Sequence, residues 1–317
     1  MEYNELGHTG IRVSKICFGA LTIGPTQRNL SVSEGSRVIC RALELGINFI
    51  DTAKTYGTYP YIRQALLDFY PGSEPVIASK SHAYTWDGME NDVQEALLQL
   101  GRDFIDIFML HEQESRLTLK GHRPALEYLL SAKDKGIVRA VGISSHAVEA
   151  VEAAAEMEEI DVIHPLINKQ GVGIIDGSRE DMLKAIEKAA KKGKGIYSMK
   201  PLGGGLLIPE ARDAFNWVAN NPNIHSIAIG MQSEAEVEAN VAWSEDRDPG
   251  FEIRSRLSRY PRRLLISDWC QGCGACVKRC SLKAIKIVGG KACVDRGKCV
   301  LCGYCASECR EFCIKII

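Results

Sequence analysis

What this 317-residue chain lacks narrows its classes first. It has no charge imbalance: 39 Lys and Arg stand against 40 Asp and Glu, so no global field draws it to nucleic acid or to an anionic membrane. No apolar run reaches the roughly 18 residues of a membrane span. The opening segment MEYNELGHTG has no basic and then apolar leader, so a cytoplasmic location is expected. Low-complexity tracts are missing too, and 45% hydrophobic content is ordinary for a folded chain of two unequal domains.

Cysteine, by contrast, is plentiful and patterned. Eight of the 12 cysteines form two copies of C-x2-C-x2-C-x3-C: Cys270, Cys273, Cys276, Cys280 and Cys299, Cys302, Cys305, Cys309. The copies align beyond the cysteines, CSLKAIKI against CREFCIKI, which makes them an internal repeat. Such short spacers let thiolates converge on one cubane while the fourth cysteine reaches towards another, so two [4Fe-4S] clusters are expected. Zinc sites favour separated pairs of ligands, and a disulfide framework needs an oxidising compartment. Cys293 and Cys313 read as packing residues. Exposed clusters would suit an anaerobic or low-oxygen cell.

This stretch resembles the bacterial two-cluster ferredoxin module. The resemblance implies crossed ligation, with Cys270, Cys273, Cys276 and Cys309 on one cluster and Cys299, Cys302, Cys305 and Cys280 on the other. That family usually places proline after each fourth cysteine, whereas Ser281 and Arg310 stand here.

Upstream, a hairpin is expected around the turn sequence GHTG, and then eight short apolar runs alternate with helical patterns as far as Trp243. Near-continuous apolar strands joined by helices imply a parallel sheet covered on both faces. Eight units in about 245 residues predict a (β/α)8 TIM barrel. A doubly wound sheet is disfavoured because no G-x-G-x-x-G follows the first strand. The expected division is a barrel over 1–245, a docked connector over 246–266, and a small C-terminal α+β ferredoxin-like domain over 267–317.

Barrel chemistry sits at the C-terminal ends of the strands. Three successive ends carry Asp51 and Tyr56 in DTAKTYG, Lys80 in VIASK, and His111 in FMLH. Singly, each has an ordinary explanation as a turn cap, a solvated strand end, a core histidine or a packing aromatic. Together they form a proton-transfer set: Tyr56 as general acid for reduction and base for oxidation, Lys80 depressing its pKa, Asp51 orienting Lys80, and His111 hydrogen-bonding the substrate oxygen.

These motifs, in this order, resemble the aldo-keto reductase superfamily and its Asp, Tyr, Lys and His tetrad. The resemblance implies a nicotinamide cofactor, NADH or NADPH, held by Ser144, Ser145, Asn168, Tyr197 stacked on the ring, Pro201, Leu202, Gly230, Ser233 and Asn240. The glycines of MKPLGGGLL are expected to offer backbone amides to phosphate. Glu236 would repel a ribose phosphate, favouring NADH. Where the family continues with Ser-Glu, TYPYI intervenes here, so Tyr59 and Tyr61 are expected to face substrate.

The function expected is therefore hydride transfer between NAD(P)H and a small carbonyl compound or its alcohol. The clusters would exchange electrons with a ferredoxin or other redox protein, or dock one. Hydride moves two electrons and a cluster one, so direct passage would need a radical step. Two other readings stay open: a ferredoxin-dependent reductase without nicotinamide, and a non-catalytic electron-transfer subunit.

Overall fold

The computed structural model describes residues 1–69, 74–259 and 261–317, so the expected connector is covered except for Tyr260. A hairpin, β1 (Tyr3–Glu5) with β2 (Arg12–Ser14), opens the chain. Eight parallel strands follow: β3 (Ile16–Gly19), β4 (Phe49–Asp51), β5 (Val76–Ser81), β6 (Ile105–Leu110), β7 (Val138–Ser145), β8 (Val162–Pro165), β9 (Gly195–Met199) and β10 (Ser226–Gly230). They close into a ring in chain order, β10 returning to β3, with Ile227 opposite Ile16. The eight-unit rhythm of the sequence is thus a (β/α)8 barrel.

Local chemistry sets its joints. Ser178 and Asp181 cap each other's backbone at the start of the helix Arg179–Lys191, and Gly193 ends it at φ 80°. The first crossover helix, Val32–Glu44, opens with the same device between Ser31 and Glu34. Leu6, Ile11 and Val13 of the hairpin are buried with Phe49, Ile107, Met109 and Tyr197 inside the ring. His8 N donates to Gly193 O (2.9 Å) just before β9, so the hairpin plugs the end of the barrel opposite the catalytic mouth.

Beyond the barrel, the helix Gly250–Ser258 packs along Glu234–Ser244, with Arg256 2.8 Å from Glu238, so the connector is docked. The C-terminal segment then pairs β11 (Leu264–Ile266) with β14 (Ile314–Ile316), and β12 (Ile285–Val288) with β13 (Lys291–Val294). Its repeat is legible in the backbone. Positive φ recurs at equivalent positions of the two copies: Gly272 and Leu301, Gly274 and Gly303, Lys283 and Phe312. Likewise Ala284 N donates to Cys280 Sγ and Cys313 N to Cys309 Sγ, both at 3.3 Å. Cys313 is buried as expected. Cys293, in contrast, is exposed, because β13 turns it out from the small core around Cys276 and Cys305.

This segment sits on the barrel mouth. A Cβ at Gly204 would come 2.8 Å from the Phe312 ring, and one at Gly205 would run into the Ile316 carbonyl. The glycines after β9 therefore make room for a packed layer, and the amides of Gly203, Gly205, Leu206 and Leu207 bond to carbonyls of their own loop. Phosphate capture by those four amides, expected from the sequence, is not supported because they are already satisfied. Gly205→Ala should lower stability by roughly 1–3 kcal/mol through φ strain and collision. It should also make residues 267–317 more sensitive to limited proteolysis. Gly136→Ala is the control, with φ 72° but nothing within 4 Å of a Cβ. Equal losses in the two variants would mean that strain alone, and not docking, is being measured.

Candidate active site

The mouth encloses a cavity of about 700 Å³. Asp51, Tyr56 and His164 line one part, Gly230, Gln232 and Asn240 another, and Phe312, Lys315, Ile316 and Ile317 of the C-terminal segment complete it.

Asp51 ends β4 and Lys80 lies near the end of β5, so strand adjacency brings them together. Lys80 Nζ lies 2.8 Å from Asp51 Oδ1 and donates to Thr52 O at 2.7 Å. Both side chains are almost fully buried, at 1% and 6% exposure. Tyr56 closes a short 3-10 turn, Lys54–Tyr56, terminated by Gly57 in the left-handed conformation. Lys80 Nζ is 4.9 Å from the centroid of its ring, and the His111 ring is 5.7 Å away, edge-on. The four residues expected from strand ends are thus gathered around one mouth.

The electrostatics differ from expectation in one respect. Burial, with Asp51 and Glu112 nearby, pushes the Tyr56 hydroxyl well above the usual tyrosine pKa. The Lys80 ammonium is paired with Asp51 at contact distance, and burial with the two acids dominates the shift. Tyr56 is consequently held as a protonated donor. Burial, then the charge of Lys80, drives His111 well below the usual histidine pKa, leaving a neutral imidazole. Its Nδ1 is buried without a partner among the described residues, and its ring stacks on His82 at 4.2 Å.

Two residues of this network lay outside the expected tetrad. Tyr197 Oη donates to Asp51 Oδ1 at 2.9 Å from inside the ring. The ring of His164 stacks on Tyr197 at 3.9 Å, with its Nε2 3.7 Å from Asp51; burial lowers its pKa to about 4. The inward positions of β8 and β9 were the available signal.

The expected cofactor residues divide. Pro201, Leu202, Gly230 and Asn240 line the cavity. Ser233 caps the helix Glu234–Ser244. Tyr197 is fully buried within the ring, so its face is covered by His164 rather than offered to a ligand. Ser144 accepts from Glu112 N, Ser145 donates to Gln113 O, and Asn168 spends its amide on the turn to Val172. Glu236 accepts from Gln232 N and lies 3.5 Å from Arg262, so its charge is matched and does not argue for NADH. Tyr59 and Tyr61 begin a helix (Tyr59–Asp68) and turn inward, bonding Ser79 and Leu30 O, rather than facing substrate.

Residues 15–216, from the first barrel strand to the helix after β9, match the Aldo/keto reductase family. The chain belongs to that family. This aldo-keto reductase is 24% identical over 282 residues to L-galactose dehydrogenase of Arabidopsis thaliana, covering 76% of this chain and 88% of the relative. It is 25% identical to 6-dehydroglucose reductase of Novosphingobium aromaticivorans, covering 82% and 97%. An aldo-keto reductase structure from Bacillus halodurans shares the fold at TM-score 0.64 and 21% identity, covering 82% of this chain and 96% of that one. The protein is accordingly an oxidoreductase. No helix among its described residues is long and apolar enough to cross a membrane.

Proposed function

We propose that this aldo-keto reductase reduces a carbonyl group, or oxidises the alcohol, with NAD(P)H, and that its C-terminal segment carries two [4Fe-4S] clusters. The observation that carries the first part is a protonated Tyr56 at the wall of a 700 Å³ cavity, with the neutral ring of His111 5.7 Å from its own. Bound NAD(P)H supplies the hydride; the family generally uses NADP(H), and the cavity wall near Gly230 and Asn240 suits it. Tyr56 gives its proton to the carbonyl oxygen as charge develops there, and takes it back in oxidation. His111, neutral, hydrogen-bonds that oxygen and fixes its direction. Lys80, paired with Asp51 in the buried wall, lies 4.9 Å from the centre of the Tyr56 ring and fixes the surroundings of that donor.

The cluster reading rests on the donor set. Cys280, Cys299, Cys302 and Cys305 line one small cavity. Cys276 lies in the field of Cys309, Cys270 and Cys273, each raising its pKa after burial. Those neighbourhoods match the crossed sets. Among the described residues no three His, Cys, Asp or Glu side chains gather tightly enough for one metal ion. A cubane instead needs thiolates spread around it, and N–H donors to Sγ, as at Cys270, Cys280 and Cys309, suit sulfur bonded to iron. On this reading the clusters serve a ferredoxin-like partner or hold the segment together, and the protein works in the cytoplasm.

Anaerobically purified protein should contain about eight iron and eight acid-labile sulfide per chain, and should consume NADPH or NADH with aldehydes. Iron well below that ratio would remove the clusters. Failure of both nicotinamides to bind the reconstituted protein would overturn the hydride reading and favour reduction by the clusters alone.

A further inference from the structure

The cavity also carries positive charge that the proton chemistry does not use. Lys200 follows β9, and Lys315 lies in β14; both line the cavity, and both ammonium groups face the Phe312 ring, at 4.5 and 5.5 Å from its centroid. Lys315 is buried, donating to Ser267 Oγ (3.2 Å) and Phe312 O (3.1 Å), with Trp269 4.5 Å beneath it. Lys200 lies 2.7 Å from His146 Nε2. Neither has a carboxylate at ion-pair distance among the described residues, whereas Lys80 has Asp51 at 2.8 Å.

Glu112 acts on both lysines only through its field, and two ammonium groups with no acid in contact repel each other and favour a bound anion. The backbone points the same way. Lys200 sits at φ 59°, a strained conformation for a side chain of this size. Such strain persists where surrounding contacts impose it, and here it accompanies a side chain lining the cavity. Burial, then mutual repulsion, lowers Lys200 to about 7, and burial lowers Lys315 to about 8.

The repeat supplies a comparison within the chain. Lys286 occupies in the first copy the place of Lys315 in the second, CSLKAIKI against CREFCIKI, yet Lys286 is exposed. Docking on the barrel, not the repeat itself, puts Lys315 at the cavity.

We propose that Lys200 and Lys315 form an anion subsite that holds a carboxylate or phosphate group of the substrate, so that this reductase acts on an anionic aldehyde or ketone. The proposal rests on the carbonyl-reductase reading for the reacting end of the molecule. A carbonyl compound with an acidic group would place its oxygen at Tyr56 and His111 and its charge between the two lysines. A neutral analogue would leave those charges unmatched and bind less well.

The test uses anaerobically reconstituted holoprotein with succinic semialdehyde and glyceraldehyde 3-phosphate as anionic probes and butanal as the neutral one. Wild type should favour one of the anionic probes over butanal in kcat/KM, and which one tells carboxylate from phosphate. Lys200→Met and Lys315→Met should each lower kcat/KM for that probe by about tenfold or more. Butanal turnover and the NADPH dissociation constant should stay within twofold, Lys286→Met should change nothing, and Lys315→Arg should restore most of the loss. Equal kcat/KM for charged and neutral probes in wild type would overturn the proposal. So would weakened NADPH binding in the Met variants, which would assign the lysines to the cofactor. If no aldehyde is turned over, the reductase reading fails by itself. Calorimetric titration with inorganic phosphate and succinate then decides the subsite: binding lost in Lys200→Met sustains it, and no binding to wild type ends it.

Discussion

Tyr56→Phe should cost carbonyl reduction about 10²–10⁴-fold in kcat while leaving nicotinamide binding intact, because a positioned proton donor contributes on that scale. Tyr56 is the one tetrad member with a hydroxyl, and it lines the cavity. Burial, then Asp51 and Glu112, raise its pKa, so the donor stays protonated through neutral pH and the wild-type reduction rate should vary little from about pH 6 to 9 through this group. The sign for stability follows. Above about 10 an unfolded tyrosine ionises and the folded one does not, so the folded state binds more protons and stability falls as pH rises. Buried Tyr197 shifts in the same direction. Steady-state rates with an aldehyde panel check the first claim; a Phe variant at wild-type rate would remove the hydroxyl from the mechanism.

Asp51→Ala should destabilise the fold by about 3–5 kcal/mol, since it strands the Lys80 ammonium in the barrel wall. The same change takes the acceptor from Tyr197 Oη and the neighbouring charge from His164. Denaturant unfolding measures the loss, and a cost under about 1 kcal/mol would show that the wall tolerates the lone charge. The double variant Asp51→Leu with Lys80→Met removes both charges and should regain most of the stability while staying inactive, which separates folding from chemistry.

The barrel and the meeting of Asp51, Tyr56, Lys80 and His111 were legible because each rests on a local pattern. Apolar runs of strand length alternate with helical periodicity, and the chemistry-bearing residues end those runs. What stayed hidden depends on contacts between distant segments. Alternation places Tyr197 inside the ring, but nothing near it in sequence says that its hydroxyl reaches Asp51, 146 positions away. Tyr59 and Tyr61 looked like loop residues because their helix begins at Tyr59 itself. The glycine run after β9 suggested phosphate because glycine permits close approach of any kind; the approaching group is the strand that carries Ile316. Lys315 gave no sign at all, since its repeat twin Lys286 has the same neighbours in sequence and a different fate in space.

That glycine run has a consequence for descent. Gly203, Gly204 and Gly205 all carry positive φ, and the last two accommodate Phe312 and Ile316. A barrel that shed its C-terminal layer would keep, over its own active site, a loop with the greatest backbone freedom a chain can have. Side chains at Gly204 and Gly205 are excluded while the layer remains. Loop and layer are thereby coupled, because a Cβ at either glycine would collide with Phe312 or Ile316.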